Sequence, residues 1–265
     1  MNSKPSIEKS WAVVTLVLLL SSWTVIDSNW KSTDNKSYTL YYTDQDVDNL
    51  DEYTNMLITG IVKSKNFFGS AYKSKFDIYI HPNRKSLDST WQKDWNMPTF
   101  KSECWMVASG VGKRLDVISP KTWDKEACDH KSSDEWEMRG ILWHELVHVF
   151  HGQFNASPDF SDVENVDWFV EGLATYASGQ LDSARIAEVK KLDAENKVPA
   201  ALDNFWTGKS RYGLSGSVVM YIDKKYGRKK LVELLPFNKK AAILQCLKIS
   251  ETELLKDWSS FIRKL

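Results

Sequence analysis

Residues 144–151 read HELVHVFH, and they hold three of the five histidines in the chain. His144 and His148 are four apart. On a helix, positions i and i+4 share a face, so both imidazoles can point at one cation. Glu145 stands beside His144, where a carboxylate can take a proton from water activated at that cation. The pattern H-E-x-x-H is the zinc-hydrolase signature. Around it, Ile141, Leu142, Trp143, Leu146, Val147, Val149 and Phe150 make the stretch mostly apolar. A buried apolar helix does not normally carry His-Glu-His without a partner for the charge. The expected cofactor is therefore one Zn2+ per chain.

His151 is set apart by geometry. It lies seven residues beyond His144, about 10 Å along a helix axis, too far for one ion to reach both ends of the stretch. It is expected beside the site, along a groove or on the surface. A catalytic zinc takes three protein ligands and keeps one position open, so the third ligand must come from elsewhere. Glu171, in WFVEGLATY, is the candidate: one carboxylate among Phe169, Val170, Leu173 and Ala174. Its small neighbours, Gly172 and Ala174, would let this helix pack closely on the histidine helix. Asp159, Asp162, Glu164 and Asp167 also lie downstream of the histidines. They fall in a polar loop or at a helix start, where acidic residues are expected anyway.

The elements that must position these residues can be read from periodicity. YTLYYT (38–43) and FDIYIHP (76–82) read as strands, and residues 46–66 show helical spacing ended near Gly69. Residues 83–95 read as a short helix. Residues 105–119 read as a strand pair turning near Gly112-Lys113. A helix runs from Asp134 to about Gly152, with Asp134, Glu135 and Glu137 at its positive end. A polar loop (153–165) leads to a second helix at 167–178, closed by Gly179. Lys190 to Thr207 is less regular. Helices follow at 211–226, 228–235 and 250–264. Strands mixed with helices, then helices alone, make an α+β arrangement: a small mixed N-terminal sheet followed by a mostly helical half, in one domain over 38–265.

The whole chain has 265 residues, 42% hydrophobic and 26% charged, with Lys plus Arg balancing Asp plus Glu at 35 each. No net field argues for nucleic acid or an anionic membrane surface as a partner. Lys4 and Lys9 precede the apolar run WAVVTLVLLL, so residues 1–28 read as a signal peptide or an uncleaved N-terminal membrane anchor. That run is the only membrane contact expected, and it places the chain outside the cytoplasm, secreted or in the cell envelope. Residues 29–37 read as a linker. The three cysteines lack C-x-x-C spacing; either Cys104 pairs with Cys128 or all three are free thiols. Twelve tryptophans, scattered along the chain, read mainly as core anchors.

HELVH, followed after 22 residues by Glu171 in E-G-L-A, resembles the gluzincin metallopeptidases. More closely it is similar to the peptidase MA-like proteins, small exported bacterial domains with an H-E-x-x-H helix and a W-x-x-E-G-x-A-x-Y helix. Trp168, Glu171, Gly172, Ala174 and Tyr176 match that second motif, and RYGLSGSVVMYIDKKYGRKKLVELL (211–235) resembles the helix that follows it. The resemblance implies a zincin-like fold, zinc held by His144, His148 and Glu171, and hydrolysis of a peptide or protein substrate with Glu145 as general base. It also implies a tyrosine that supports the oxyanion, for which Tyr212 is the candidate ahead of Tyr176 and Tyr221. One departure is Thr175, which stands where thermolysin-type enzymes carry an aspartate four residues after the glutamate ligand. Two other readings fit the same residues: a zincin-fold binding or sensory module that cleaves nothing, and a zinc hydrolase of a non-peptide amide or ester. Oligomeric state has no readable signal.

Overall fold

In a computed structural model of the chain, residues 29–265 are described. The apolar leader expected over 1–28 lies outside them. Five strands, β1 (Lys31–Asp34), β2 (Tyr38–Tyr42), β3 (Phe76–His81), β4 (Ala108–Val111) and β5 (Arg114–Ile118), form one sheet in the order β1-β2-β3-β5-β4. The central pairs β2/β3 and β3/β5 are parallel and the outer pairs antiparallel. Parallel neighbours need a crossover; α1 (Leu50–Phe68) supplies the first and α2 (Arg84–Asp94) lies in the second. Alternation explains the strands. Tyr38, Leu40 and Tyr42 are buried on β2, and Phe76, Ile78 and Ile80 on β3.

The stretch read as a linker carries β1, paired antiparallel with β2. All four of its side chains are exposed, so it has no apolar alternation to betray it. After the β4–β5 hairpin come α3 (Trp123–Glu126), α4 (Glu135–Phe154), α5 (Asp167–Ser178), α6 (Ser183–Ala194), α7 (Arg211–Tyr226), α8 (Arg228–Glu233), α9 (Lys240–Leu247) and α10 (Glu251–Ile262). The chain is thus a mixed α/β structure, with its sheet in the first half and helices in the second. Cys104 and Cys128 form a disulfide with Cα atoms 5.4 Å apart, and Cys246 is a half-buried free thiol.

Two apolar cores flank α4. Leu142, Leu146 and Val149 face the sheet core, while Val147 and Phe150 face a helical core built with Phe169, Leu173 and Val218. Trp91 and Trp123 anchor the first core and Trp168 and Trp258 the second. Other tryptophans do something different: Trp105, Trp136, Trp143 and Trp206 line a cleft beside α4. Close approach depends on glycine at two places. A Cβ on Gly110 of β4 would stand 2.3 Å from the Glu145 carbonyl oxygen, so only glycine lets this edge strand lie against α4. A Cβ on Gly172 of α5 would stand 2.4 Å from the Ser215 carbonyl oxygen. The small residue expected to seat α5 on α4 therefore seats it on α7.

Candidate metal centre

α4 begins where the Asp134 side chain accepts a hydrogen bond from the Glu137 N–H at 2.9 Å. The helix is unbroken through the motif, so His144 and His148 project from one face. α5 begins after the 155–166 loop, and its first turns carry Glu171 over that face. The result brings three donor atoms together. His148 Nε2 lies 3.0 Å from His144 Nε2, and Glu171 Oε2 lies 3.2 Å from the first histidine and 3.4 Å from the second. Both histidines are buried.

These atoms fit a zinc ion. Tetrahedral zinc with bonds of about 2.0–2.2 Å sets its ligand atoms roughly 3.3–3.5 Å apart, close to the three separations found. The donor set points the same way. His144 Nδ1–H donates to Gln180 Oε1 at 2.7 Å, which fixes the tautomer and leaves the Nε2 lone pair aimed at its two neighbours. Two imidazole nitrogens and a carboxylate oxygen that converge in this way form a group that could hold a metal ion. The His148 Nδ1 is buried without a hydrogen-bond partner.

The local fields are strong. Burial pushes the Glu171 carboxyl up, but His148 and His144 outweigh it and hold the group well below the ordinary carboxylate range. Glu145 moves the other way. Burial, joined by the Glu171 charge, pushes its pKa up to about 7, while His144 and the Gly110 N–H partly offset the rise. A carboxyl poised near neutrality is suited to taking and returning a proton. Tyr212 of α7 reaches the cluster: its ring lies edge-on to the His144 imidazole at 6.1 Å between centroids. Burial and the Glu171 charge raise its pKa, so the hydroxyl keeps its proton at neutral pH.

Tyr176 and Tyr221 have other partners. The Tyr176 hydroxyl donates to Asp223 at 2.8 Å, and Tyr221 lies 3.3 Å from Asp257. Thr175 uses its hydroxyl on the Glu171 carbonyl of its own helix, at 2.9 Å. Gln180 carried no signal in the sequence. It sits just past the left-handed Gly179 that ends α5, and only the fold returns it to α4.

His151 is neither a ligand nor a surface residue. It is fully buried, and its Nε2–H donates to the Leu235 carbonyl at 3.2 Å. Burial, with the neighbouring His148, pushes its pKa down to about 3. An unfolded histidine titrates near 6.5. Between about pH 6.5 and 3 the unfolded chain therefore binds a proton that the folded chain refuses. Stability is full above that window and falls by about 1.4 kcal/mol per pH unit on descending through it. His151→Gln keeps a donor for Leu235 and removes the titration. Urea melts between pH 7 and 4.5 should give a shallower loss of stability in that variant; an unchanged slope would clear His151 of the effect.

The cluster opens into a cleft of about 910 Å³. Its walls are the segment leading into β4, the exposed face of α4, the start of α5, and Trp206 with the first turn of α7. The segment before β4 is tied down by the Cys104–Cys128 bridge and by His130, which lies 2.8 Å from Glu137 and 3.2 Å from the Trp105 carbonyl.

No protein-family model and no curated protein sequence matches the chain. Among solved structures it is similar to the native yeast LTA4 hydrolase, at 12% identity and TM-score 0.48 over 89% of this chain and 38% of that one. It is also similar to an M1 zinc metallopeptidase from Deinococcus radiodurans, at 14% identity and TM-score 0.45 over 88% of this chain and 50% of that one. A two-domain M1 zinc metallopeptidase bound to L-tryptophan gives 14% identity and TM-score 0.44, covering 87% of this chain and 51% of the other. The chain spans only 38–51% of the length of these three proteins.

Proposed function

We propose that the chain is a zinc-dependent metallopeptidase of the gluzincin kind, with a zincin-like catalytic domain that includes β1 and so runs from residue 31 to residue 265. The observation that carries this reading is the meeting of His144 Nε2, His148 Nε2 and Glu171 Oε2 within 3.4 Å of one another, with Glu145 next in sequence to the first of them. When bound there, zinc would act as a Lewis acid that polarises the scissile carbonyl and makes water nucleophilic near neutral pH.

The residues of the chain do the rest. Glu145 takes the proton from the attacking water and returns it to the leaving amine nitrogen. Burial raises its pKa, and the charge of a bound cation would favour the ionised form that accepts the proton. Tyr212 donates its hydroxyl hydrogen to the oxygen that gains charge in the tetrahedral transition state. Gln180 holds the His144 ring in one tautomer.

A peptide-library digest read by mass spectrometry tests the proposal. Cleavage should stop with a chelator and return when zinc is added back. A protein that holds about one zinc per chain and cleaves no peptide in the library would overturn it. In that case the non-catalytic or non-peptide alternative stands.

A further inference from the structure

Most cations on the cleft already have partners. Arg139 pairs with Glu135 at 3.3 Å, and Lys131 with Asp124 at 3.8 Å. Arg185 pairs with Asp182 at 3.5 Å and donates to the Gln180 carbonyl at 2.6 Å. Lys63 lies over the Trp143 ring at 4.4 Å. Arg211 differs. Among the described residues, no carboxylate lies within 4.0 Å of its nitrogens. What holds it is aromatic: the guanidinium carbon stands 4.8 Å from the Trp105 ring, 5.0 Å from Trp206 and 5.3 Å from Tyr212.

This setting is costly for a purely structural arginine. Arg211 is the first residue of α7, and the N-terminal end of a helix carries the positive pole of its dipole, which disfavours a cation. The N-cap residue Ser210 offers no side-chain cap, so the first-turn N–H groups also lack a side-chain acceptor. Aromatic rings can hold a guanidinium through its faces; with the neighbouring Tyr212 hydroxyl as a polar partner, N–H groups of its five remain for a ligand. Such groups bind a carboxylate through two parallel hydrogen bonds, and the half-buried, apolar walls strengthen the attraction. Position completes the argument. Tyr212 touches both Arg211 and the His144 ring. An extended peptide advances about 3.3 Å per residue, so a group on Arg211 would lie within a few residues of the bond at the metal centre.

We propose that Arg211 is a specificity residue that binds a carboxylate of the substrate, so that the cleft takes peptides with an acidic group a few residues from the scissile bond. This rests on the metallopeptidase reading. The carboxylate has two sources, a free C-terminus or an Asp or Glu side chain. Either would meet the same guanidinium edge and the same first-turn N–H groups.

The test uses the full chain and matched peptides drawn from those the digest shows to be cleaved, or N-acetylated hexapeptides if none is. Each pair differs in one group: C-terminal acid against amide, or Glu against Gln. Cleavage is read as kcat/KM, and binding to the metal-free protein is read by calorimetry. The charged member of at least one pair should be preferred by about 10- to 100-fold, the size of a charge-assisted hydrogen bond. The pair that shows the preference identifies the source. Arg211→Gln should reduce the preference to about twofold or less, and Arg211→Lys should keep part of it. Added salt should weaken it.

Equal treatment of acid, amide, Glu and Gln by the wild type would overturn the inference, as would a full preference surviving in Arg211→Gln. The two readings fail separately. Chelator-sensitive cleavage without a carboxylate preference sinks only the role of Arg211. Arg211-dependent binding of acidic peptides without any cleavage sinks only the peptidase. A chain that neither binds nor cleaves them sinks both.

Discussion

Glu145→Gln should lower peptide hydrolysis by about 10²- to 10⁴-fold, the usual contribution of a positioned general base, and should leave zinc content at the wild-type level. The side chain keeps its shape and loses only its capacity to take a proton. Its neighbours explain why the loss is not made good locally. Glu171 is held ionised against two imidazoles, and the Tyr212 phenol keeps its proton at neutral pH. No other carboxylate belongs to the cluster found among the described residues. Metal analysis and turnover on one purified sample give both numbers. If Glu145→Gln turned over at the wild-type rate, the proton would have to travel by another group and the mechanism would fail. If it lost both zinc and activity, the carboxylate would be holding the metal rather than serving the water.

Glu171→Ala should separate from this by losing the metal itself. Removing a group that merely hydrogen-bonds a ligand already costs about 10- to 100-fold in affinity, so loss of one of three ligands should cost more than about 100-fold. The variant also leaves two buried imidazole nitrogens facing each other at 3.0 Å with no anion beside them. Competition for zinc against a chelator of known affinity measures the change. Zinc bound at wild-type strength by Glu171→Ala would exclude this residue as the third ligand. The carboxylates of the 153–166 loop and of Asp167 would then be the places to look.

The chemistry-bearing part of this chain is largely local, and that is why the sequence reveals it. His144, Glu145 and His148 share one helical turn, so the 3.6-residue period alone sets their relation. Glu171 is legible because one carboxylate in an apolar helix is anomalous, and the structure brings it to the two histidines. The strands at 38–42 and 76–81 and the hairpin at 108–118 follow from alternation. What periodicity misses depends on tertiary contact. β1 is a strand only because β2 offers it an edge. α6 has a weak amphipathic pattern, and α9 has only eight residues. Gln180, 36 residues from His144, is brought to it by the left-handed turn at Gly179. The cage around Arg211 draws Trp105 from beyond the sheet. The sequence leaves the pairing of Cys104 with Cys128 open, because cysteine spacing alone does not fix Cα distance.

The two cores that flank α4 have a thermodynamic consequence. His144 and His148 project from the helix shared by both cores, whereas Glu171 projects from α5, whose buried apolar residues belong to the helical core. An ion held by all three would tie α4 to α5, and its binding free energy would oppose any opening in which those two helices part. The cleft is lined by both of those helices, so occupancy of the centre would also set how far its walls can spread.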